Sequence, residues 1–375
     1  MKRALVLSGG GARAAYQAGV LRAVAEIIPS TVYSPFPIIC GTSAGALNSL
    51  AIGGRAGPFR LRIRKLESLW RSLHAADVYR ASSLGKSLAS SVSSMFANPA
   101  STNEPYALLD CSPLKSLLAS YVRFEHLNVA LQNGELDAIA VSAISYASGE
   151  SVAFFQAKPS IAEWQRSRRC GVSTRLAVDH LMASTAIPGI FKAVKIGSEY
   201  FGDGAVRQQK PLSPALRLGA DKLFVIGVGN PRATGVGVGV TEHGKAPSSA
   251  QVIGHLYNSA FADGLESDLE SLHNINQLTS ALSSKAQAAQ RFREIDVLAI
   301  TPSVSIDDLA RAHAHELPRA LRYILDSTGA LGAESNSSAA SYLLFEPGFC
   351  GALIELGYRD AMTRSEAINR FFHGL

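Results

Sequence analysis

Residues 41–45 read Gly-Thr-Ser-Ala-Gly and directly follow a short apolar run at residues 37–40. A stretch of small residues with helical character comes next, so Ser43 stands in a turn between a strand and a helix. A sharp turn of this kind needs Gly41 and Gly45 on either side, because side chains there would hinder the bend and shield the hydroxyl. This context predicts that Ser43 is a catalytic nucleophile.

The position of this turn, early in the chain, excludes the α/β-hydrolase fold. That fold places several strands before its nucleophile and needs an acid and then a histidine after it. Only one strand can precede Pro37 here. The nucleophile elbow at Ser43 therefore belongs to a different fold.

A second glycine turn precedes the elbow. Residues 4–7 read as a buried strand, and the turn at 8–13, Ser-Gly-Gly-Gly-Ala-Arg, leads into a predicted helix over 14–28. Consecutive glycines let backbone N–H groups converge at a helix start, where the positive end of the helix dipole favours negative charge. We interpret this turn as an oxyanion hole. Its residues are Gly9, Gly10, Gly11, Ala12 and Arg13.

The same turn also fits a dinucleotide-binding fingerprint, since Gly9, Gly11 and Ala14 have the required spacing. Such a site needs an acidic residue at the end of the second strand to bind the ribose. That strand ends here in residues 40–43, Cys-Gly-Thr-Ser, which include no acid. The nucleophile interpretation is favoured, and nucleotide binding is the alternative.

Three ordered blocks of this sequence resemble the patatin-like phospholipase family. The first is the strand, Gly-Gly-Gly-x-Arg turn and helix at 4–21, and the second is Gly-x-Ser-x-Gly at 41–45. The third combines Ala-Ser-x-Ala-x-Pro-x-x-Phe at 183–191 with Asp-Gly-Ala at 203–205. The resemblance covers about residues 2–216, and three blocks in order are far more specific than any one of them.

This resemblance implies a three-layer α/β/α fold with a mostly parallel central sheet, and a catalytic dyad of Ser43 and Asp203. In such a dyad the aspartate takes the serine proton, the serine attacks an ester carbonyl, and water hydrolyses the acyl-enzyme. No histidine is needed. Asp203 and Gly204 follow a predicted hairpin at 193–201, whose flexible end can direct the carboxylate toward Ser43.

Two small residues depart from the family pattern. Ala14 stands where a glycine commonly follows the arginine, and Ala205 replaces the second glycine of the Asp-Gly-Gly turn. Both replacements are small for small, so we expect changed turn geometry rather than lost activity.

No spacing of cysteine or histidine predicts a cofactor. The four cysteines are far apart and include no Cys-x-x-Cys pair, and none of the nine histidines lies in a recognisable triad or metal pattern. We therefore expect no metal ion, no cofactor and no disulfide framework. Arg13 opposes the helix dipole, so we expect it either to bind an anionic headgroup or to brace the oxyanion turn.

Composition is consistent with a soluble enzyme of 375 residues, 47% of them hydrophobic. The net charge of +6 suits an anionic membrane surface or nucleic acid, but no Lys/Arg run supports nucleic acid. No run approaches the roughly 18 apolar residues of a membrane span, and the first apolar stretch is too short for a signal peptide. We expect a cytoplasmic protein that binds no nucleic acid and meets its lipid substrate only peripherally at a membrane.

The chain is predicted to form a patatin-like core over 1–216 and an α-rich part over 217–375 that completes the same domain. The second part contains a predicted strand at 295–300, which would be hard to bury outside a larger sheet. Within the core, the pattern also predicts a hairpin across 137–155 and a helix over 173–183.

Two stretches differ in amino-acid composition from the rest of the chain. Residues 76–105 are serine-rich, and apolar residues recur at helical spacing over 84–96, a pattern typical of either a lid or an ordinary surface helix. Residues 229–249 are rich in Gly, Pro and Thr, which predicts a mobile connector.

These observations predict a lipid acyl hydrolase that cleaves carboxylic esters through Ser43 and Asp203. A lysophospholipase, a thioesterase or a generic carboxylesterase could use the same dyad. A catalytically silent lipid-binding module is the alternative outside enzymes.

Overall fold

The computed structural model describes most of the chain, namely residues 1–29, 32–80, 107–230, 264–282, 293–327 and 339–373. The candidate lid segment 84–96 and most of the predicted connector 229–249 lie outside these residues.

One sheet organises the described part of the chain. Its strands are β1 Arg3–Leu7, β2 Ile38–Thr42, β3 Ala138–Ser145, β4 Ser151–Ala157, β5 Trp164–Arg166, β6 Arg169–Ser173, β7 Val194–Ile196, β8 Glu199–Asp203, β9 Lys222–Ile226 and β10 Asp296–Ile300. The strand order is β10-β9-β1-β2-β3-β4-β6-β5, and the β7–β8 hairpin pairs with β3. The five strands from β10 to β3 are mutually parallel, and β4 is antiparallel to β3.

Helices cover both faces of this sheet. They are α1 Ala15–Ile27, α2 Ala44–Gly53, α3 Phe59–Ser72, α4 Ala75–Val78, α5 Ser112–Tyr121, α6 Phe124–Gln132, α7 Val178–Ser184, α8 Ser213–Arg217, α9 Gly264–Ser280, α10 Ile306–Ala312, α11 Arg319–Ser327, α12 Ala339–Leu343, α13 Pro347–Met362 and α14 Ser365–His373. Short 3₁₀ turns occur at Gly11–Ala14, Gly204–Arg207 and Ala314–Glu316.

Successive side chains along a strand point to opposite faces of the sheet, so the apolar residues of the strands are divided between two cores. In β1, Leu5 and Leu7 belong to the larger core, which includes buried residues of α1, α2, α3 and α13. Ala4 and Val6 belong to the smaller core, which includes α8 and α9. Strands buried on both faces are typical of parallel sheets between helical layers. The predicted three-layer α/β/α fold with a mostly parallel sheet is therefore confirmed.

The two glycine turns meet at one edge of the sheet. Because β1 and β2 are parallel neighbours, their carboxyl ends lie side by side, and these ends lead into residues 8–13 and into Ser43. Asp203 reaches the same edge from β8, where it pairs with Ala143 near the end of β3. The sheet topology thus brings all three predicted parts of the site together.

The predicted helix over 173–183 is wrong in its first part. Helix α7 begins only at Val178, residues 174–177 form neither helix nor strand, and Ser173 is the last residue of strand β6 (Arg169–Ser173). The segment forms a strand because it pairs in parallel with β4, a long-range contact that outweighs local preference. The hairpin predicted across 137–155 and the strand predicted at 295–300 are both present, as β3–β4 and as β10.

Close packing of α1 against α13 allows a test of this core. A Cβ at Gly19 would lie 1.9 Å from the Ile354 carbonyl oxygen, whereas a Cβ at Gly351 would meet only Arg71 Nη1, at 3.6 Å. Gly19→Ala should therefore lower the free energy of unfolding by about 1–3 kcal/mol, because the helices must separate. Gly351→Ala, the matched control in α13, should be neutral or stabilising by up to about 1 kcal/mol. Thermal unfolding of both variants checks this, and equal midpoints would contradict the described packing.

Candidate active site

The elbow places Ser43 in a strained conformation at the start of α2. Its φ of 54° and ψ of −129° are rare for a residue with a side chain. A Cβ at Gly45 would lie 2.4 Å from the Leu7 carbonyl oxygen, and one at Gly41 would lie 2.3 Å from the Gly45 carbonyl oxygen. Glycine is therefore required on both sides of Ser43, for the tight approach of backbone to backbone.

The structure brings the side chains of Ser43 and Asp203 into direct contact. Ser43 Oγ donates to Asp203 Oδ2 at 2.5 Å, and the Ala205 N–H donates to Asp203 Oδ1 at 2.9 Å. Both residues are buried, at 1% and 0% exposure. Gly204 packs tightly on β3, since a Cβ there would lie 2.3 Å from the Ser142 carbonyl oxygen. The turn at residues 203–205, called the acid turn, is thus tightly packed next to Ser43.

Burial governs the ionisation of Asp203. Desolvation raises the pKa of this carboxyl from its ordinary 3.8 to about 7, although the hydrogen bonds from Ser43 and Ala205 lower it. A base whose pKa lies near neutral pH is well matched to proton transfer under physiological conditions. Within the described residues, Ser43 Oγ bonds to this carboxylate and to no histidine.

The oxyanion turn is closely packed on two sides. A Cβ at Gly10 would lie 2.3 Å from Val228 Cγ2. Gly11 has a φ of +55°, and a Cβ there would lie 2.3 Å from the Tyr342 carbonyl oxygen. The Arg13 N–H donates to the Gly10 carbonyl oxygen at 3.1 Å and is therefore used within the turn. In the described part of the chain, the N–H groups of Gly10, Gly11 and Ala12 donate to no other residue.

Arg13 is fully buried, which bears on the two roles expected for it. Arg13 Nη2 donates to Asp307 Oδ1 at 2.7 Å, and Arg13 Nε donates to Ser341 Oγ at 2.9 Å. A guanidinium engaged in this way cannot bind a headgroup at the protein surface. Of the two roles, the contacts favour bracing of the oxyanion turn.

A buried polar chain links the oxyanion turn to α2. Asn48 Nδ2 donates to the Ala14 carbonyl oxygen at 3.1 Å and to Gln17 Oε1 at 2.8 Å, and Gln17 Nε2 donates to the Ser8 carbonyl oxygen at 2.9 Å. Trp70 Nε1 donates to Asn48 Oδ1 at 2.8 Å. Sequence analysis missed these residues, because an amide in an apolar helix carries no sign of its partner.

Ser184 supports the elbow from the opposite side. The Ser43 N–H donates to Ser184 Oγ at 2.9 Å, and this hydroxyl donates to the Ser142 carbonyl oxygen at 2.6 Å. The sequence placed Ser184 only within a family block and predicted no role for it. Its contacts indicate that it stabilises the backbone of the strained serine.

An apolar cavity of about 30 Å³ opens beside Ser43. Its wall includes Leu47, Trp70, Leu73, Leu117, Phe191 and Phe345. A second cavity of about 20 Å³, lined in part by Thr42, Ser142 and Gln208, includes neither Ser43 nor Asp203 among its lining residues. Of these two cavities, the first is the one that borders Ser43.

Two absences can be stated for the described residues. They include no group of three or more His, Cys, Asp or Glu side chains that could hold a metal ion. Over the same ranges, no helix combines the length and the apolar character needed to cross a bilayer.

A family model described as Patatin-like phospholipase matches residues 5–216, more than half of the chain. The chain belongs to the patatin-like phospholipases. This confirms the resemblance, because the matched residues include the oxyanion turn, the elbow and the acid turn. Membership in the patatin-like phospholipases supports lipid hydrolase activity.

Comparison with solved structures finds similar chains in two bacteria. VipD from Legionella pneumophila has 12% sequence identity and a TM-score of 0.41, over 98% of this chain and 67% of that chain. A complex of full-length SpcU with full-length ExoU, from the type III secretion system of Pseudomonas aeruginosa, gives 14% identity and a TM-score of 0.26, over 92% and 70%. A comparison with curated proteins finds no match.

The raised pKa of Asp203 predicts how stability depends on pH. Between about pH 4 and pH 7 the folded carboxyl keeps a proton that the unfolded chain has lost, so the free energy of unfolding falls as pH rises through this window. The loss can reach about 4 kcal/mol. Asp203→Asn lacks this titration, so its stability relative to the wild type should increase from pH 4 to pH 7. Denaturant unfolding at several pH values measures the difference, and a constant difference would contradict the raised pKa.

Proposed function

We propose that this patatin-like phospholipase is a lipid acyl hydrolase that cleaves carboxylic esters, with Ser43 as nucleophile and Asp203 as its base. The observation that carries the proposal is the 2.5 Å hydrogen bond from Ser43 Oγ to Asp203 Oδ2 between two buried side chains. A serine and a base within hydrogen-bonding distance form the basic unit of nucleophilic catalysis.

In the proposed reaction, Asp203 takes the Ser43 proton as Oγ attacks the ester carbonyl carbon. The tetrahedral intermediate collapses to an acyl-serine, and the alcohol leaves with a proton from Asp203. Water then attacks the acyl-serine and gives a proton to Asp203. The second tetrahedral intermediate collapses, the bond from the acyl carbon to Ser43 Oγ breaks, Ser43 Oγ takes the proton back from Asp203, and the carboxylic acid is released. The carboxyl must be ionised before the first step, so its pKa of about 7 would set the lower pH limit of activity.

The oxyanion would be bound by the N–H groups of Gly10 and Gly11, with Ala12 beside them. Two observations support this proposal. These N–H groups lie at the start of a helical segment, and among the described residues they donate to no carbonyl oxygen or side chain. Donors that are already fixed in place need no reorganisation as charge develops, and each is typically worth about 3 kcal/mol.

The apolar cavity beside Ser43 favours an acyl group as the part of the substrate that enters the protein. Its wall is hydrophobic and aromatic, as expected for a site that binds an apolar group. A lysophospholipase, a thioesterase or a carboxylesterase would use the same groups. Peripheral contact with a membrane and a cytoplasmic location stay predictions from composition.

We also propose that residues 217–375 complete the same domain as the core over 1–216. Strands β9 and β10 extend the sheet beyond β1, and α13 packs closely on α1. A core that lacked these elements would expose one edge of β1 and one face of α1.

The dyad is tested by two substitutions that keep the shape of the site. Ser43→Ala should abolish ester hydrolysis and labelling by a fluorophosphonate probe, because it removes the attacking oxygen. Asp203→Asn should lower kcat by at least about 100-fold, because it removes the base. Hydrolysis of a panel of phospholipids, neutral lipids and soluble esters provides the measurement. In the wild type, kcat/KM should rise with pH around a midpoint near 7.

Two results would reject this mechanism. A wild-type protein that neither reacts with the probe nor hydrolyses any ester would be a silent lipid-binding module. A His→Ala variant as damaged as Ser43→Ala, with Asp203→Asn near wild type, would indicate a triad hydrolase instead.

The small volume of this cavity predicts that the protein prefers esters of short acyl groups. A substitution that enlarges the cavity should weaken this preference. A volume of about 30 Å³ holds only a short hydrocarbon unless its wall moves. Leu117→Ala should raise the kcat/KM ratio of an octanoyl ester over an acetyl ester by about 10-fold. Ser116→Ala, on the exposed side of the same helix, should leave the ratio unchanged. An unchanged ratio in Leu117→Ala would show that the acyl chain binds elsewhere.

A further inference from the structure

A buried ion pair joins the oxyanion turn to a helix near the other end of the chain. Arg13 Nη2 donates to Asp307 Oδ1 at 2.7 Å, and the two side chains are 1% and 12% exposed. The residues are 294 positions apart. Asp307 lies in the first turn of α10, beyond the residues that match the family model. This contact therefore comes from a part of the chain that the match does not cover.

Ser341 and Tyr342 also contact the Arg13 guanidinium. Ser341 Oγ accepts from Arg13 Nε at 2.9 Å and donates to Asp307 Oδ1 at 2.7 Å. The Arg13 Cζ lies 4.2 Å from the centroid of the Tyr342 ring, a cation–π distance. The Tyr342 carbonyl oxygen also lies against Gly11. One short segment therefore contacts both the side chain of Arg13 and the backbone of the turn.

The Asp307 carboxylate is also bound by a residue that follows a strand of the central sheet. The Asn230 amide donates to Asp307 Oδ2, and the Ile306 N–H donates to Asn230 Oδ1 at 2.8 Å. Asn230 follows β9 and lies two residues after Val228, the side chain that packs on Gly10. Both oxygens of Asp307 are thus engaged, so the carboxylate offers Arg13 a fixed partner.

Stability alone is a poor explanation for this arrangement. Burying a charge is unfavourable unless it is paired, and buried ion pairs are often no more stabilising than apolar residues of similar size. A cation at the start of a helix is also opposed by the helix dipole. A planar guanidinium with directional hydrogen bonds does, however, define the orientation of the backbone that carries it. The contacts therefore point to geometry as their purpose.

We propose that Asp307 and Ser341 are positioning residues for the oxyanion turn. By holding Arg13, they keep the N–H groups of Gly10 and Gly11 at the place where negative charge develops beside Ser43. Neither residue touches the substrate. This inference rests on the proposed acyl hydrolase function, and it makes the C-terminal part of the chain necessary for an efficient active site.

Asp307→Asn tests the ion pair, because it keeps the shape of the side chain and removes its charge. The kcat for a soluble short-chain ester should fall by about 10- to 100-fold, less than the roughly 100- to 1000-fold lost when an oxyanion-hole donor is removed, because the donors are displaced and not deleted. KM should stay near the wild-type value, since these hydrogen bonds strengthen only in the transition state. The pH midpoint of kcat/KM should also stay unchanged, since Asp203 keeps its surroundings.

Asp308→Asn is the matched control. This neighbouring carboxylate is 68% exposed and pairs with Arg311 on the surface of the same helix. Its variant should keep the wild-type kcat. Thermal unfolding of each variant sets an assay temperature at which all of them are folded, so that a change in kcat reports on the site.

Ser341→Ala is the second variant, and it carries the test if Asp307→Asn does not fold. It removes the hydrogen bond from Arg13 Nε and the hydrogen bond to Asp307 Oδ1, and it leaves the ion pair in place. The kcat should fall by about 3- to 10-fold, less than in Asp307→Asn because the ion pair remains, with KM unchanged.

The inference is overturned if the folded Asp307→Asn or Ser341→Ala variant has the wild-type kcat, or if Asp308→Asn is equally impaired. It is also overturned if the pH midpoint moves with kcat, because the contact would then act through Asp203. A wild-type protein without esterase activity, or activity that persists in Ser43→Ala, would instead reject the proposed function.

Discussion

The site depends on the close contact between the start of α2 and the end of β1. A Cβ at Gly45 would lie 2.4 Å from the Leu7 carbonyl oxygen and 2.5 Å from that of Ser8, so only glycine permits this approach. Because β1 and β2 are parallel neighbours, the contact places the elbow directly beside the oxyanion turn. Ser43 is held there at φ 54°, a strained conformation that persists only where the surrounding structure enforces it.

Buried polar side chains provide that enforcement. Gln17 and Asn48 tie the oxyanion turn to α2, and Ser184 bonds to the backbone of Ser43. Polar groups in an interior specify geometry strongly when they are hydrogen-bonded, because any other arrangement leaves them unpaired. An oxyanion hole requires such rigidity, since its advantage over water is that its dipoles need not reorient.

Burial of Asp203 connects stability with function. The same desolvation that raises its pKa to about 7 makes the ionised form, which we propose acts as the base, unfavourable in the folded protein. The hydrogen bonds from Ser43 and Ala205 offset part of that penalty. A base that is exposed to water would be easier to ionise, and it would be a weaker acceptor for the serine proton. The folded protein is thus less stable when Asp203 is ionised, at the position where proton transfer is proposed.

The sequence by itself determined the two glycine turns and predicted the role of Ser43, because strand, turn and elbow signals are each local. It also determined the family, because three such local blocks occur in the family's order. The turn with Asp203 was recognised only through the family pattern, since one aspartate after a hairpin carries no specific signal. Tertiary structure decided the rest. Arg169–Ser173 is a strand because β4 pairs with it, and Asp307 and Ser341 reach Arg13 from 294 and 328 residues away. No local pattern encodes a contact over such a distance, because the folded sheet alone brings those residues together.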